Sequence, residues 1–144
     1  MDKAMNYVAL AKKGRLIELG EEPVGAVTRA GKGWLVIVAS DAGDHTWRRA
    51  KSFVAGTNQV AVKIPFSKDD VGMAIGRTSL AIAAFTDPAM ALAFLKALPQ
   101  QETYSEALQA LESRTQRVRQ RQQEAKAHEK NKRVGKAAAG VKKR

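Results

Sequence analysis

The chain has 144 residues, no cysteine and a formal net charge of +11, which suits one ordinary domain with an appendage. The lack of cysteine excludes a disulfide framework and a thiolate zinc site. No apolar run approaches the roughly 20 residues that span a bilayer, so we expect a cytoplasmic protein with no membrane partner.

The first predicted elements are a helix, a short strand and a second helix. Asp2 can cap the first helix, whose apolar residues follow helical spacing, and Gly14 ends it. A short strand at residues 16–19 leads into residues 20–23, where two glutamates and a proline suit the positive end of a helix dipole. The second helix is therefore expected to run to about Ala30.

The middle of the chain continues to alternate strands with helices. The uninterrupted apolar run Trp34–Val38 predicts a central strand that is buried on both faces. Thr46 can cap the helix that follows, and Val60–Ile64 alternates as a strand. Ser67 then starts a short helix that Gly76 closes.

The last part of the domain adds a buried strand, Ser79–Phe85, and a helix that Asp87 and Pro88 open. Helices alternating with short buried strands predict a three-layer α/β/α sandwich, which we assign to residues 1–99. Residues 100–144 are predicted to form a C-terminal extension, helical from about residue 103. Toward its end, from Asn131, the Lys-, Gly- and Ala-rich sequence predicts disorder.

The excess charge lies almost entirely in the extension. Residues 113–144 contain twelve Lys or Arg and two Glu, whereas residues 1–112 contain thirteen basic and twelve acidic residues. Such a segment commonly contacts nucleic acid, although a solubilising tail would have the same composition. A membrane-bound arm is a weaker alternative, since the apolar stripe ends at about Val118. The arginines expected to contact phosphates are Arg114, Arg117, Arg119 and Arg121.

No motif predicts catalysis. His45 and His128 lie far apart without a nucleophile or ligand partner near them in sequence, and residues 31–33 lack the spacing of a phosphate-binding loop. Two pairs of nearby aspartates are explained as turn and first-turn residues. We therefore expect no enzyme activity, catalytic residue, metal, cofactor or small-molecule substrate.

Basic and polar groups at the predicted element ends are the remaining candidates for a binding site. Glycine lets the backbone approach a ligand closely, and a helix N-terminus presents N–H groups to phosphates or bases. The same residues could equally be ordinary loop residues. The candidates are Lys12, Lys13 and Arg15 beside the first turn, Gly20, Glu21 and Glu22 before the second helix, and Gly76, Arg77, Thr78 and Ser79 after the short helix.

Residues 20–31 and 35–41 resemble the kink-turn-binding ribosomal protein family of the L-seven-Ae and L-thirty-e type, most of all its small bacterial members. Residues 71–76, with the strand after them, match a second landmark of that family, and the resemblance covers about residues 4–98. It implies a four-stranded mixed sheet in the sandwich. It also implies an RNA-binding protein of the ribosome or translation apparatus, whose partner is ribosomal or other structured RNA, with the ribosome as a further candidate partner.

The resemblance also implies where RNA binds. In the family, the region matching Gly20–Ala26 reads paired guanine and adenine edges, and the loop matching Ile75–Ser79 packs on a flipped-out nucleotide. The residues carried over include Gly20 and Ile75.

Several positions in this region depart from the family pattern. Glu22 replaces the usual asparagine, Pro23 the usual glutamate, and Gly25 and Ala26 stand where a small polar residue and a lysine are common. An ionised glutamate only accepts hydrogen bonds and repels phosphate, and proline supplies no N–H. We therefore expect poor binding of standard kink-turns, and we keep a protein–protein interaction module of the same fold as the alternative function.

Overall fold

The computed structural model describes residues 2–142, and side chains for residues 2–131. The helices are α1 (Lys3–Lys13), α2 (Glu21–Arg29), α3 (Asp44–Val54), α4 (Lys68–Ile75), α5 (Pro88–Ala97) and α6 (Ser105–Lys142). The strands are β1 (Ile17–Leu19), β2 (Leu35–Val38), β3 (Val60–Lys63) and β4 (Ile82–Phe85). A short 3₁₀ helix, Gln101–Tyr104, precedes α6.

The strands form one mixed sheet in the order β1-β4-β2-β3. β2 pairs with β3 in parallel, whereas β4 is antiparallel to both β1 and β2. The two central strands, β2 and β4, are buried along their whole length, as expected for strands covered on both faces. The predicted four-stranded mixed sheet is confirmed.

Alternate residues of the central strands pack against two different helix layers. Val36 and Val38 belong to a buried cluster with Val24 of α2 and Ala50 of α3. On the other face, the ring of Phe85 packs 5.0 Å from that of Phe94 in α5, and α5 in turn packs on α1. The predicted α/β/α sandwich is confirmed.

Local capping signals explain the starts of α1, α4 and α5. The Asp2 carboxylate accepts a hydrogen bond from the Ala4 amide at 2.8 Å, and the Asp87 carboxylate accepts one from Met90 at 2.9 Å. Ser67 and Asp70 form a reciprocal capping box at α4. These helix starts lie where the sequence predicts them.

Two predicted element starts are wrong. α3 begins at Asp44, behind an extended Gly43, rather than after Thr46, because an acidic residue is favourable in the first turn of a helix. β4 begins at Ile82 rather than Ser79. The preceding residues are held on α4, where the Leu80 amide donates to the Lys68 carbonyl at 2.9 Å.

The contact pattern divides the chain into two compact units, Met1–Glu112 and Ser113–Arg144. The first contains the sandwich, the 3₁₀ helix and the start of α6. Tyr104, at the end of the 3₁₀ helix, is buried, and its hydroxyl donates to the Lys63 carbonyl at 3.0 Å. Burial raises the pKa of that phenol. The predicted domain end at residue 99 and the predicted disorder toward the C-terminus stay predictions. Residues 143 and 144 lie outside the described residues.

The second unit is the rest of α6, which the backbone describes as far as Lys142. Its side chains between 116 and 131 are exposed apart from Val118, which is half-buried. Within the described part of the chain, no helix has both the length and the apolar character needed to cross a membrane.

Candidate nucleic-acid-binding surface

The start of α2 is built by the backbone of Gly20. This residue has φ +100°, a conformation that favours glycine. Its N–H donates to the Ile82 carbonyl at 3.0 Å, and its carbonyl accepts from the Val24 amide at 3.0 Å. Gly20 therefore ends the β1–β4 pairing and begins α2 within one residue.

Two carboxylates occupy the first turn of α2. No side chain caps this helix at Gly20, and Pro23 has no N–H to offer. The Glu21 carboxylate pairs with Nε of Arg49 in α3 at 2.6 Å, whereas Glu22 is exposed. The side chains here present hydrogen-bond acceptors and negative charge.

The loop after α4, residues 76–79, lies tightly against that helix. The Arg77 amide donates to the Gly72 carbonyl at 2.9 Å. A Cβ added to Gly72 would lie 2.6 Å from Cα of Ser79, closer than real Cβ contacts come. Gly72 therefore permits the close approach of the loop to α4. Within the loop Gly76, Arg77 and Thr78 are exposed, whereas Ile75 before it is buried.

The strand register brings the α2 start and this loop to the same end of the sheet. Gly20 is bonded to Ile82, which follows Ser79 by three residues. Both elements that the family resemblance assigns to RNA binding therefore lie next to the start of β4.

The predicted basic residues at the end of α1 and just after it occupy different positions. Lys12 Nζ donates to the Ile75 carbonyl at 2.6 Å, at the C-terminal end of α4, where a cation is favoured. Lys13 is exposed and lines, with Lys12, Ala74 and Ile75, a depression of about 260 Å³. Arg15 is exposed at the opposite end of β1 from Gly20.

The four predicted arginines of α6 differ in exposure. Arg117, Arg119 and Arg121 are exposed, whereas Arg114 is only 7% exposed. Burial, and secondly the charge of Arg117, lowers the pKa of the Arg114 guanidinium. The exposed three are therefore the arginines in a position to meet a phosphate.

The structure also reveals basic residues that the sequence-based candidates leave out. Arg48, Arg49 and Lys51 are exposed on α3, and Arg49 joins α3 to the α2 start through Glu21. The sequence could have indicated these residues, because in two cases a cation and an aromatic residue have i, i+4 spacing, which places both on one side of a helix. By contrast, the side chains that the structure describes, those of residues 2–131, include no cluster of three or more Asp, Glu, His or Cys that could bind a metal.

The architecture defines a class of α/β/α sandwich that other solved structures share. A Bacillus halodurans protein of unknown function is similar to this chain with a TM-score of 0.63 and 24% identity, over 67% of this chain and 97% of that one. A Giardia lamblia 15.5 kD RNA-binding protein is similar with a TM-score of 0.56 and 20% identity, over 69% and 85%. At these identities the likeness shows the fold. No protein-family model and no curated protein matches the sequence.

Proposed function

We propose that the chain is a ribosomal-protein-like RNA-binding protein of the translation apparatus, which binds structured RNA and has no enzymatic role. The observation that carries the proposal is the placement of the α2 start and the residue 76–79 loop together beside the start of β4. The fold shared with an RNA-binding protein of Giardia lamblia supports it.

The basic arm, defined as residues 113–144, would supply much of the affinity. It carries a net charge of +10, from twelve cations and two glutamates. Its exposed arginines 117, 119 and 121 lie on α6, which extends to Lys142. Neutralising phosphates releases counterions and favours association regardless of sequence. The sandwich would then determine which RNA shape is held, and the arm how strongly.

A protein–protein interaction module is the second candidate function. The exposed Glu22 and the neighbouring Pro23 favour it, because they put an acceptor and a missing N–H where a base-reading residue is expected. Under this alternative the α2 start would contact a protein with basic groups, and RNA would bind through the arm alone.

Titration of a labelled kink-turn hairpin and of an unbulged hairpin of equal length separates these functions. We expect the wild type to bind both at low salt with little preference. The double substitution Glu22→Asn, Pro23→Glu should tighten binding of the kink-turn only, because the amide can donate to and accept from a base edge. Glu22→Gln alone is the control that removes the charge and leaves the proline.

The outcomes have distinct meanings. Absence of binding to either RNA at low salt contradicts the proposed function. Binding of both RNAs with no gain for the double variant would show that Glu22 and Pro23 are not what limits kink-turn recognition.

A further inference from the structure

We infer that the outer side of α3 is a phosphate-binding surface for RNA that extends the candidate site beyond the α2 start. We call it the α3 surface; it comprises Arg48, Arg49 and Lys51, and two of these cations lie over the half-buried rings of Trp47 and Phe53. The inference rests on the proposed function and adds a second contact region in the sandwich.

The first observation is the concentration of charge. Three cations fall within four consecutive positions of α3, and all three are exposed. The acidic residue in this helix is Asp44, in its first turn. The inward side of α3 is occupied by Ala50, which is buried, and by Trp47, Phe53 and Val54, which pack on the core. The cations therefore point away from the core, as a polyanion-binding surface requires.

The second observation is that two of the cations are held over aromatic rings. Lys51 Nζ lies 5.5 Å from the centre of the Trp47 indole, and Cζ of Arg49 lies 5.5 Å from the centre of the Phe53 ring. Each pair has i, i+4 spacing, and each ring is half-buried. A cation over a ring loses less side-chain freedom when it meets a phosphate, so the surface is preorganised.

The third observation is continuity with the candidate site. Arg49 is 51% exposed and contacts Glu21 in the first turn of α2. That contact offsets the charge of one of the two α2 carboxylates, and it places the Arg49 side of the α3 surface beside the α2 start. An RNA backbone that crosses the α2 start would therefore reach Arg48 and Lys51 next.

Charge complementarity selects the partner. Three exposed cations on the outer side of a helix fit the phosphates of a nucleic-acid backbone. A partner protein at the same surface would have to be acidic, and the test below includes that outcome.

The test compares full-length variants in binding the labelled hairpins described above, over a range of salt concentrations. Arg48→Glu, Lys51→Glu should weaken binding at least about tenfold and reduce the slope of log K against log salt by about 1.4–1.8, which corresponds to two phosphate contacts. The variant Arg48→Gln, Lys51→Gln should also bind the hairpins more weakly than the wild type, but with a smaller loss of affinity. The matched control is Lys3→Glu, Lys32→Glu, which makes the same change in net charge at two exposed lysines elsewhere in the first unit.

A second readout is the fluorescence emission of Trp47. RNA should change the emission of the wild type, and Trp47→Phe should abolish that response, because the other tryptophan, Trp34, is buried. The inference would be overturned if the Arg48/Lys51 variants kept the affinity and the salt slope of the wild type. It would also be overturned if the control lost as much affinity as these variants did. In both cases RNA binding by the chain would still stand. Failure of the wild type to bind either hairpin would overturn the proposed function together with it. Unchanged RNA binding with capture of an acidic peptide would assign the α3 surface to a protein.

Discussion

Arg15 adopts a backbone conformation that is usually taken by glycine. Its φ is +59°, and it follows α1 at the position where Gly31 follows α2. The hydrogen bonds match as well. The Arg15 amide donates to the Lys12 carbonyl, and the Leu16 amide donates to the Ala11 carbonyl. In the same way, the amides of Gly31 and of the next residue donate to carbonyls in the last turns of α2. The left-handed conformation costs about 1–2 kcal/mol for a residue with a Cβ.

Replacing Arg15 with glycine is therefore expected to raise the free energy of unfolding by about 0.5–1 kcal/mol, the strain relief being partly offset by the entropy of glycine in the unfolded chain. Urea denaturation measures this. Arg15→Ala is the control, since alanine keeps the strain, and it should show no such gain. Equal stability of the glycine and alanine variants would show that Arg15 is not strained. If Arg15 also contacts RNA, both variants should lose affinity to the same extent.

At the scale of single elements, the shape of the residue 76–79 loop depends on Gly72. A Cβ there would lie 2.6 Å from Cα and 2.7 Å from N of Ser79, and 2.9 Å from the Arg77 carbonyl oxygen. All three are backbone atoms, so no side-chain rotation relieves the overlap. A side chain at position 72 must push the loop away from α4.

Gly72→Ala is accordingly expected to destabilise the protein by about 1–3 kcal/mol, although alanine is ordinarily the better residue within a helix. The loss should be accompanied by increased amide exchange at Arg77 and Leu80, whose N–H groups bond to α4. Thermal unfolding and hydrogen exchange measure the two effects. Gly14→Ala is the control, because a Cβ there has ordinary contacts with the nearest atom at 3.4 Å. A stabilised Gly72→Ala protein would contradict the account of this loop.

The elements that the sequence predicts well are those specified by neighbouring residues. Asp2, Ser67 and Asp87 each cap a helix through an amide two or three residues away, so the signal is contained in a few positions. The burial of β2 likewise follows from a continuous apolar run. The start of β4 is different, because Ser79 and the next residue are held by α4, and no local pattern encodes that contact.

The site shows the same division between local and long-range information. The sequence could indicate Gly20 and the loop after α4 as candidates. It could not show that Lys12 bonds to the end of α4 or that Glu21 pairs with Arg49, because these contacts join distant parts of the chain. The burial of Arg114 could have been predicted from nearby residues. Arg114 follows the buried Leu111 by three residues, so the two side chains lie on the same side of the helix.

At the scale of the whole molecule, two parts with different charge are joined in one chain. Residues 1–112 are close to neutral, with thirteen cations and twelve acids, and residues 113–144 have twelve cations and two acids. The net charge of the domain gives it little general attraction to phosphates, so its contribution would come from groups at fixed positions, such as the α3 surface, and would be selective. The basic arm would contribute affinity that depends strongly on salt.

The measurement that tests this division most directly is the salt dependence of RNA binding by the full-length chain. The variant Arg117→Gln, Arg119→Gln, Arg121→Gln removes three exposed charges of α6, and Gln116→Ala, Gln120→Ala, Gln123→Ala changes three exposed neutral residues of the same helix as a control. We expect the arginine variant to lower the slope of log K against log salt by about 2–3 and to bind more weakly at low salt, whereas the glutamine variant should match the wild type. A wild-type slope and affinity in the arginine variant would contradict the account.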